Sequence, residues 1–132
     1  MMMKKNKLPS EYISEFLNFI REAQSHYKFC GEEMHTQEAL TQDYLHKLEL
    51  DGLNCSERSK IATKLAINRK DRRYYKDRVE ELESIVNFFA DQQNKKMLDG
   101  LKQVLGQTRK QEDYHKNRTY IPRVLKEKEN NE

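Results

Sequence analysis

Residues 50–58, LDGLNCSER, separate two long stretches of sequence in which apolar residues recur at helical spacing. Asp51-Gly52 is typical of a turn, and Ser56 is placed to cap a helix that begins beside it. Two helices that are joined by so short a connection have to run antiparallel. The stretch therefore predicts a helical hairpin whose tip lies near Gly52.

The sequence before the turn carries a seam of mostly apolar residues at alternating spacings of three and four. This is the pattern of a helix that packs along a second helix. Pro9 interrupts the preceding chain and Ser10 can cap, so we expect a first helix over about residues 10–50. A glycine inside a helix costs about 1 kcal/mol relative to alanine, so a bend or break at Gly31 stays open. The seam consists of Ile13, Phe16, Ile20, Ala23, Tyr27, Cys30, Met34, Gln37, Thr41, Tyr44 and Leu48.

A second seam follows the turn and predicts a helix over about residues 56–92. A softer break at residues 91–94 precedes a third helix, over about residues 94–116, with apolar residues on one face. We expect this third helix to fold back along the most apolar part of the hairpin, which leaves a projecting two-helix arm. The second seam consists of Arg58, Ile61, Leu65, Asn68, Arg72, Tyr75, Val79, Leu82, Val86 and Phe89, and the third helix carries Met97, Leu98, Leu101, Val104 and Leu105.

The fold class that these patterns predict is all-α: a long antiparallel helical hairpin, with a coiled-coil-like arm, and a third helix that packs on its base to form a three-helix bundle. The chain of 132 residues has the length of one domain. We expect a single helical domain over residues 10–116, between a flexible N-terminus (residues 1–9) and a C-terminal tail (residues 117–132). The net charge is only +3 and the apolar residues are periodic, which disfavours full disorder.

Composition also bears on the compartment. Two cysteines, Cys30 and Cys55, do not make a disulfide framework. No stretch approaches the roughly 20 apolar residues of a membrane span. Acidic residues also interrupt the place where a secretory signal would need an apolar run. We therefore expect a cytoplasmic protein without a membrane partner.

Catalytic and metal-binding patterns are weak. The ferritin-like di-iron proteins use Glu-x-x-His with both side chains directed into a helical bundle, but here the seam places such pairs on outer positions. The cysteines lack zinc-site spacing, and no phosphate-binding glycine motif or metalloprotease motif is present. We therefore expect no enzyme, no metal site and no cofactor. The acid-x-x-His pairs are Glu32 with His35, Asp43 with His46, and Glu112 with His115.

The strongest functional signal is the basic sequence RKDRRYYKDR at residues 69–78. Residues 58–78 hold nine basic and two acidic residues, whereas residues 31–51 hold one basic and six acidic residues. Because the hairpin places these segments side by side, we expect most of the basic charge to face the acidic segment, with Arg58 and Arg72 at core positions and Arg72 buried opposite Gly31 or Glu33. The remaining residues are a candidate surface for nucleic acid or for a protein partner: Lys60, Arg69, Lys70, Arg73, Tyr74, Lys76 and Arg78.

A candidate apolar partner surface is formed by Ile85 and Phe88, which stand beside the second seam. The polar seam residues Gln37, Thr41 and Asn68 make the arm a poor core by itself. They could close within one chain or swap between two chains. Both features indicate a protein that binds a partner and forms a homo-oligomer.

Two functional hypotheses follow. The lysine- and asparagine-rich composition, small size and lack of enzymatic motifs resemble those of accessory proteins of low-GC Gram-positive bacteria and their phages. The main hypothesis is a non-enzymatic interaction protein, a regulator or inhibitor of a protein target. The alternative is a nucleic-acid-binding protein that uses the basic face of the second helix. A helix-turn-helix arrangement is weaker, because the seam runs on past the place where a recognition helix would end.

Overall fold

The computed structural model describes residues 6–125 and consists of three helices, α1 (Pro9–Leu50), α2 (Cys55–Ala90) and α3 (Gln92–Asn117). α1 packs against both α2 and α3, and the described residues form no strand. The predicted all-α hairpin with a third helix at its base is confirmed. The expected flexibility of residues 1–5 and of residues 126–132 lies outside the described residues.

α1 begins at Pro9 and not after a serine cap. Leu8 is the N-cap residue, and its backbone N–H donates to Glu11 Oε2 at 3.2 Å. The prediction that Ser10 caps this helix is wrong, because Pro9 already fits the first helical turn with its fixed φ. Ser10 is buried instead, and its backbone N–H donates to Glu112 Oε2 on α3 at 3.0 Å.

The turn at the tip has the expected glycine and a different cap. Gly52 has a φ of +57°, in the left-handed region that glycine adopts without steric cost. Asn54 is the N-cap of α2, and its side chain accepts from the Glu57 N–H at 2.9 Å. The prediction that Ser56 caps this helix is therefore wrong, because α2 begins one residue earlier and Ser56 lies inside it.

α1 is continuous through Gly31. Its 42 residues span roughly 63 Å at about 1.5 Å per residue. The partly buried Gly31 would meet no atom within 4 Å if it carried a Cβ. Close packing against a neighbouring side chain therefore does not account for a glycine at this position.

The hairpin seam follows the predicted residues with two exceptions. Ile20, Ala23 and Cys30 of α1 are buried, as are Ile61 and Phe89 of α2. Arg58, which was expected at a core position, is exposed because it lies in the first turn of α2 beside the tip. Phe16 is also exposed, although its ring meets the seam residue Phe89 edge to face.

The arm closes within one chain through a polar layer. Thr41 and Asn68 are buried, and Thr41 Oγ1 lies 2.6 Å from Asn68 Oδ1. Asn68 Nδ2 donates to the backbone carbonyl and to the side-chain Oε1 of Gln37, both at 2.8 Å. These seam residues are therefore hydrogen-bonded to one another.

α3 takes a different course from the one expected. Asp91 alone separates α2 from α3, and its side chain accepts from the Gln93 N–H at 2.9 Å. A hairpin reversal needs a loop of about two to five residues, so α3 does not fold back towards the arm. The bond between Ser10 and Glu112 shows that it runs instead to the first turn of α1. Leu105 is its buried residue, whereas Met97 and Val104 are exposed.

Candidate interaction surfaces

The basic stretch of α2 meets the acidic segment of α1 at one carboxylate. Glu38 Oε2 forms an ion pair with the Arg72 Nε and lies 4.0 Å from Arg69 Nη1. Arg72 is only partly buried, so the prediction that it is buried opposite Gly31 or Glu33 is wrong, because its guanidinium reaches the half-exposed carboxylate of Glu38. Within residues 6–125 no other carboxylate of the acidic segment lies within 4.0 Å of a cationic nitrogen of α2.

The outward cations of α2 are left without carboxylate partners. In the described part of the chain, no carboxylate oxygen lies within 4.0 Å of the charged nitrogens of Lys60, Lys70, Arg73 or Lys76. The first three are exposed and Lys76 is half-buried. Arg78 is different, because it pairs with Glu81 at 3.1 Å. The acidic segment therefore neutralises less of this basic charge than the sequence indicates.

The two adjacent tyrosines have separate environments. Tyr75 is half-buried in the seam and meets Phe29 edge to face, with ring centroids 6.2 Å apart. Tyr74 is exposed and packs against Tyr75, with centroids 5.3 Å apart. The Arg78 guanidinium lies 5.7 Å from the Tyr74 ring centroid. Tyr74 thus combines an exposed ring with a nearby cation.

An aromatic face runs along the hairpin in two groups. We define it as Phe16, Phe19, Phe29, Tyr74 and Phe88, whose exposed fractions are 41%, 49%, 50%, 53% and 48%. At the base, the Phe89 ring lies 6.4 Å from Phe16 and 4.9 Å from Phe88. Further towards the arm, Phe29 joins Tyr75 and Tyr74, and His26 stacks on it at 6.4 Å. Of these five residues, the sequence pattern placed only Phe88 and Tyr74 on a candidate surface, and it placed Phe16 in the seam.

α3 packs on another side of α1 and leaves this face open. Leu17 lines the cleft between α1 and α3 together with Leu98 and Leu105. Successive residues of a helix point about 100° apart, so Phe19 points away from that cleft when Leu17 points into it. Phe16 does not line the cleft. Of the predicted apolar surface, Phe88 is exposed on the aromatic face and Ile85 is half-buried beside it.

The two cysteines differ in exposure. Cys30 is fully buried, and its Sγ lies 3.5 Å from His26 Nε2. Burial raises the pKa of the Cys30 thiol above its ordinary value of 9.0. A raised pKa and a lack of solvent access make this Cys–His contact unsuited to nucleophilic chemistry, which requires an accessible thiolate. Cys55 is exposed near the tip.

The acid-x-x-His pairs do not assemble. Glu32, His35, Asp43 and His46 are all exposed. Glu112 is engaged with the backbone of Ser10. No group of three or more histidine, cysteine, aspartate or glutamate side chains that could hold a metal ion occurs among residues 6–125.

No helix in the described part of the chain is both long enough and apolar enough to span a membrane. Comparison of the chain with protein-family models, with curated proteins and with solved structures found no match.

Proposed function

We propose that this chain is a non-enzymatic interaction protein that binds a protein partner along the aromatic face of its hairpin. The observation that carries the proposal is the row of five half-exposed rings on α1 and α2, at positions that α3 does not cover. A folded helix pair normally places such large rings in its seam. Here Phe16 lies in the seam and is still exposed, and the other four rings lie beside the seam.

The area of the face favours a partner. An aromatic side chain offers roughly 150–250 Å² of surface, so five half-exposed rings present roughly 500 Å². Exposed apolar patches of a few hundred Å² are often functional, and here the exposed area is divided between two groups of rings. Aromatic residues are also the side chains that contribute most to binding energy in protein interfaces.

Charge favours a protein over a nucleic acid at this face. Arg78, the cation nearest to Tyr74, is paired with Glu81 at 3.1 Å. Glu22 is exposed one turn beyond Phe19 on α1. A neutral aromatic strip bordered by carboxylates repels phosphate groups and suits the apolar side of another helix.

The length of the face indicates how such a partner lies. Phe16 meets Phe89 at the base and Phe29 meets Tyr75 further along, so the two groups are 13 and 14 residues apart on the two helices. At about 1.5 Å per residue this is roughly 20 Å. A partner helix of four turns, lying along the hairpin, contacts both groups.

Site-directed photo-crosslinking tests the proposal. A benzophenone amino acid replaces Phe19, Phe29 or, as the exposed control on the basic face, Arg73, and the protein is irradiated in the cells that naturally express it. We expect the same protein adduct from positions 19 and 29 and none from position 73. Mass spectrometry of the adduct then distinguishes a second copy of this chain from a different protein.

Other crosslinking outcomes contradict the proposal. Equal adducts at all three positions indicate non-specific contact, and a nucleic-acid adduct at position 73 alone favours the second candidate function.

That second candidate is nucleic-acid binding by the outer face of α2. The supporting observation is that Lys60, Lys70 and Arg73 are exposed and have no carboxylate within 4.0 Å in the described residues. Unpaired cations along one helix are the usual electrostatic footprint for a phosphate backbone. Tyr74 adds a ring on which a base can stack.

A further inference from the structure

A cleft of about 360 Å³ lies between α1 and α3, separate from the aromatic face. Its floor is apolar and is made by Leu17, Leu98 and Leu105. Three cationic side chains also line it, namely Arg21 of α1 and Lys102 and Arg109 of α3. The volume is within the range of small-molecule sites, which is about 300–1,000 Å³.

The positive charge in this cleft is largely uncompensated. No carboxylate lines the cleft. Over residues 6–125, neither Arg21 nor Arg109 has a carboxylate oxygen within 4.0 Å, and Lys102 lies 3.8 Å from Asp99. The cleft therefore gathers more positive than negative charge, which an anion would neutralise.

Two acidic side chains that lie near Arg109, outside this cleft, already have hydrogen-bond or ion-pair partners. Glu11 and Glu15 line an adjacent cleft together with Arg109. Glu11 accepts from the backbone N–H of Leu8, and Glu15 forms an ion pair with Lys7. Arg109 thus remains available to a ligand in the larger cleft, although two carboxylates lie in its neighbourhood.

We infer that this cleft binds a phosphate monoester that carries an apolar group. Two guanidinium groups offer the planar pairs of N–H donors that match phosphate oxygens, and the ammonium of Lys102 adds a third donor group. The leucine floor accommodates the apolar group of the ligand. Asn18 and Gln24 also line the cleft and supply neutral hydrogen-bonding groups beside the cations. The apolar group belongs either to a small soluble molecule or to a lipid.

Calorimetric titration of the full chain with defined probes tests this inference. The probes are inorganic phosphate, hexyl phosphate, and vesicles of phosphatidylcholine with and without phosphatidic acid. We expect saturable binding of hexyl phosphate that is at least about tenfold tighter than that of inorganic phosphate, because the hexyl group covers the leucine floor of the cleft. If the protein binds both hexyl phosphate and phosphatidic acid vesicles, the site is assigned to a lipid headgroup. If it binds hexyl phosphate but not these vesicles, the site is assigned to a soluble ester.

Matched variants locate the site. Arg21→Gln with Arg109→Gln removes both guanidinium groups, and we expect at least about a tenfold loss in hexyl phosphate affinity. Lys70→Gln with Arg73→Gln removes the same charge from α2, and we expect no more than about a twofold loss. All four residues are exposed, so both double variants are expected to keep the helical circular dichroism of the wild type.

The inference is overturned by equal losses in the two double variants, by equal affinity for phosphate and hexyl phosphate, or by binding to vesicles without saturable hexyl phosphate binding. None of these results bears on the aromatic face, whose residues lie outside the cleft. Failure here and failure of the proposed protein-binding function are therefore distinguishable.

Discussion

Asn68 uses every hydrogen-bonding group of its side chain inside the arm. Its amide donates twice to Gln37, and its oxygen lies 2.6 Å from the hydroxyl of Thr41. Such a layer is stable only in one register, because a shifted hairpin would leave buried polar groups without partners. The layer therefore aligns α1 with α2 in a region where apolar packing is sparse.

We predict that Asn68→Ala lowers the free energy of unfolding by about 1–3 kcal/mol, since it removes the hydrogen bonds that the buried Asn68 side chain makes with Thr41 and Gln37. Thr41→Val combined with Asn68→Leu removes both polar partners, and is expected to cost less than the single variant. Asn87→Ala is the control, because Asn87 is exposed on the same helix. Urea unfolding measures the free energy of unfolding of all three variants. If Asn68→Ala were as stable as the wild type, the polar layer would not be what aligns α1 with α2.

Cys30 makes the stability of the fold pH-dependent. Burial raises the pKa of its thiol in the folded chain, so the unfolded chain ionises first as the pH rises through the ordinary value of 9.0. The protonated thiol therefore contributes stability below that pH, and the contribution is lost above it. We predict that the advantage of wild type over Cys30→Ala in free energy of unfolding falls with a slope of up to about 1.4 kcal/mol per pH unit.

The exposed Cys55 provides the control for this effect. Unfolding curves of wild type and Cys55→Ala are expected to differ by the same amount at about pH 7 and about pH 10, since an exposed thiol ionises alike in both states. An unchanged difference for Cys30→Ala over the same range would mean that water reaches the Cys30 thiol.

At the scale of the helices, the seam patterns predict which residues meet, and local chemistry sets where each helix begins. Ser10 and Ser56 are good caps by residue type, yet Leu8 and Asn54 hold the cap positions. Residue type alone does not show which residue caps each helix, because the predicted and observed helix starts differ by only one or two residues. Pro9 and Asn54 set the observed starts. The core seam of the hairpin, in contrast, depends on many residues and tolerates such local changes.

The course of α3 and the aromatic face were harder to predict. α3 follows from a one-residue connection at Asp91, whereas the sequence indicated a softer break of four residues. Phe19 and Phe29 stand beside seam positions, where sequence periodicity gives no reason to expect large exposed rings. Their exposure depends on the side from which α3 packs, which is a tertiary property.

The continuity of α1 leads to a prediction about its glycine. Gly31 lies inside a regular helix, and a methyl group there would meet nothing within 4 Å. We predict that Gly31→Ala raises the free energy of unfolding by about 0.5–1 kcal/mol, because alanine loses less backbone entropy on folding. Thermal and urea unfolding measure the change.

Gly52→Ala is the opposing control. Its φ of +57° costs a side chain about 1–2 kcal/mol, so this variant is expected to be less stable than the wild type. If Gly31→Ala were also destabilising, α1 would need its glycine for a bend or for a close contact with a partner.

At the scale of the whole molecule, the chain separates its surfaces by chemistry. The aromatic face follows both helices of the hairpin, the cationic cleft lies between α1 and α3, and the unpaired cations lie on the outer side of α2. Among residues 6–125 few large apolar side chains are buried, namely Leu17, Ile20, Ile61, Phe89 and Leu105. Because the core is small and large rings are exposed, a partner that binds the folded chain would raise its stability.

The separation of surfaces allows a direct test between the two candidate functions. Fluorescence anisotropy of a labelled random duplex and of a single strand, at about 50 and 200 mM salt, measures the contribution of α2 cations. Under the protein-binding proposal, we expect only weak non-specific affinity, about 10⁻⁴–10⁻⁶ M at the higher salt, with the same small loss for Lys70→Gln/Arg73→Gln and for Arg21→Gln/Arg109→Gln. Both variants remove two exposed charges, so a purely global electrostatic effect treats them alike. A loss confined to the α2 variant, with the salt slope reduced by about two, would instead establish the outer face of α2 as a nucleic-acid surface.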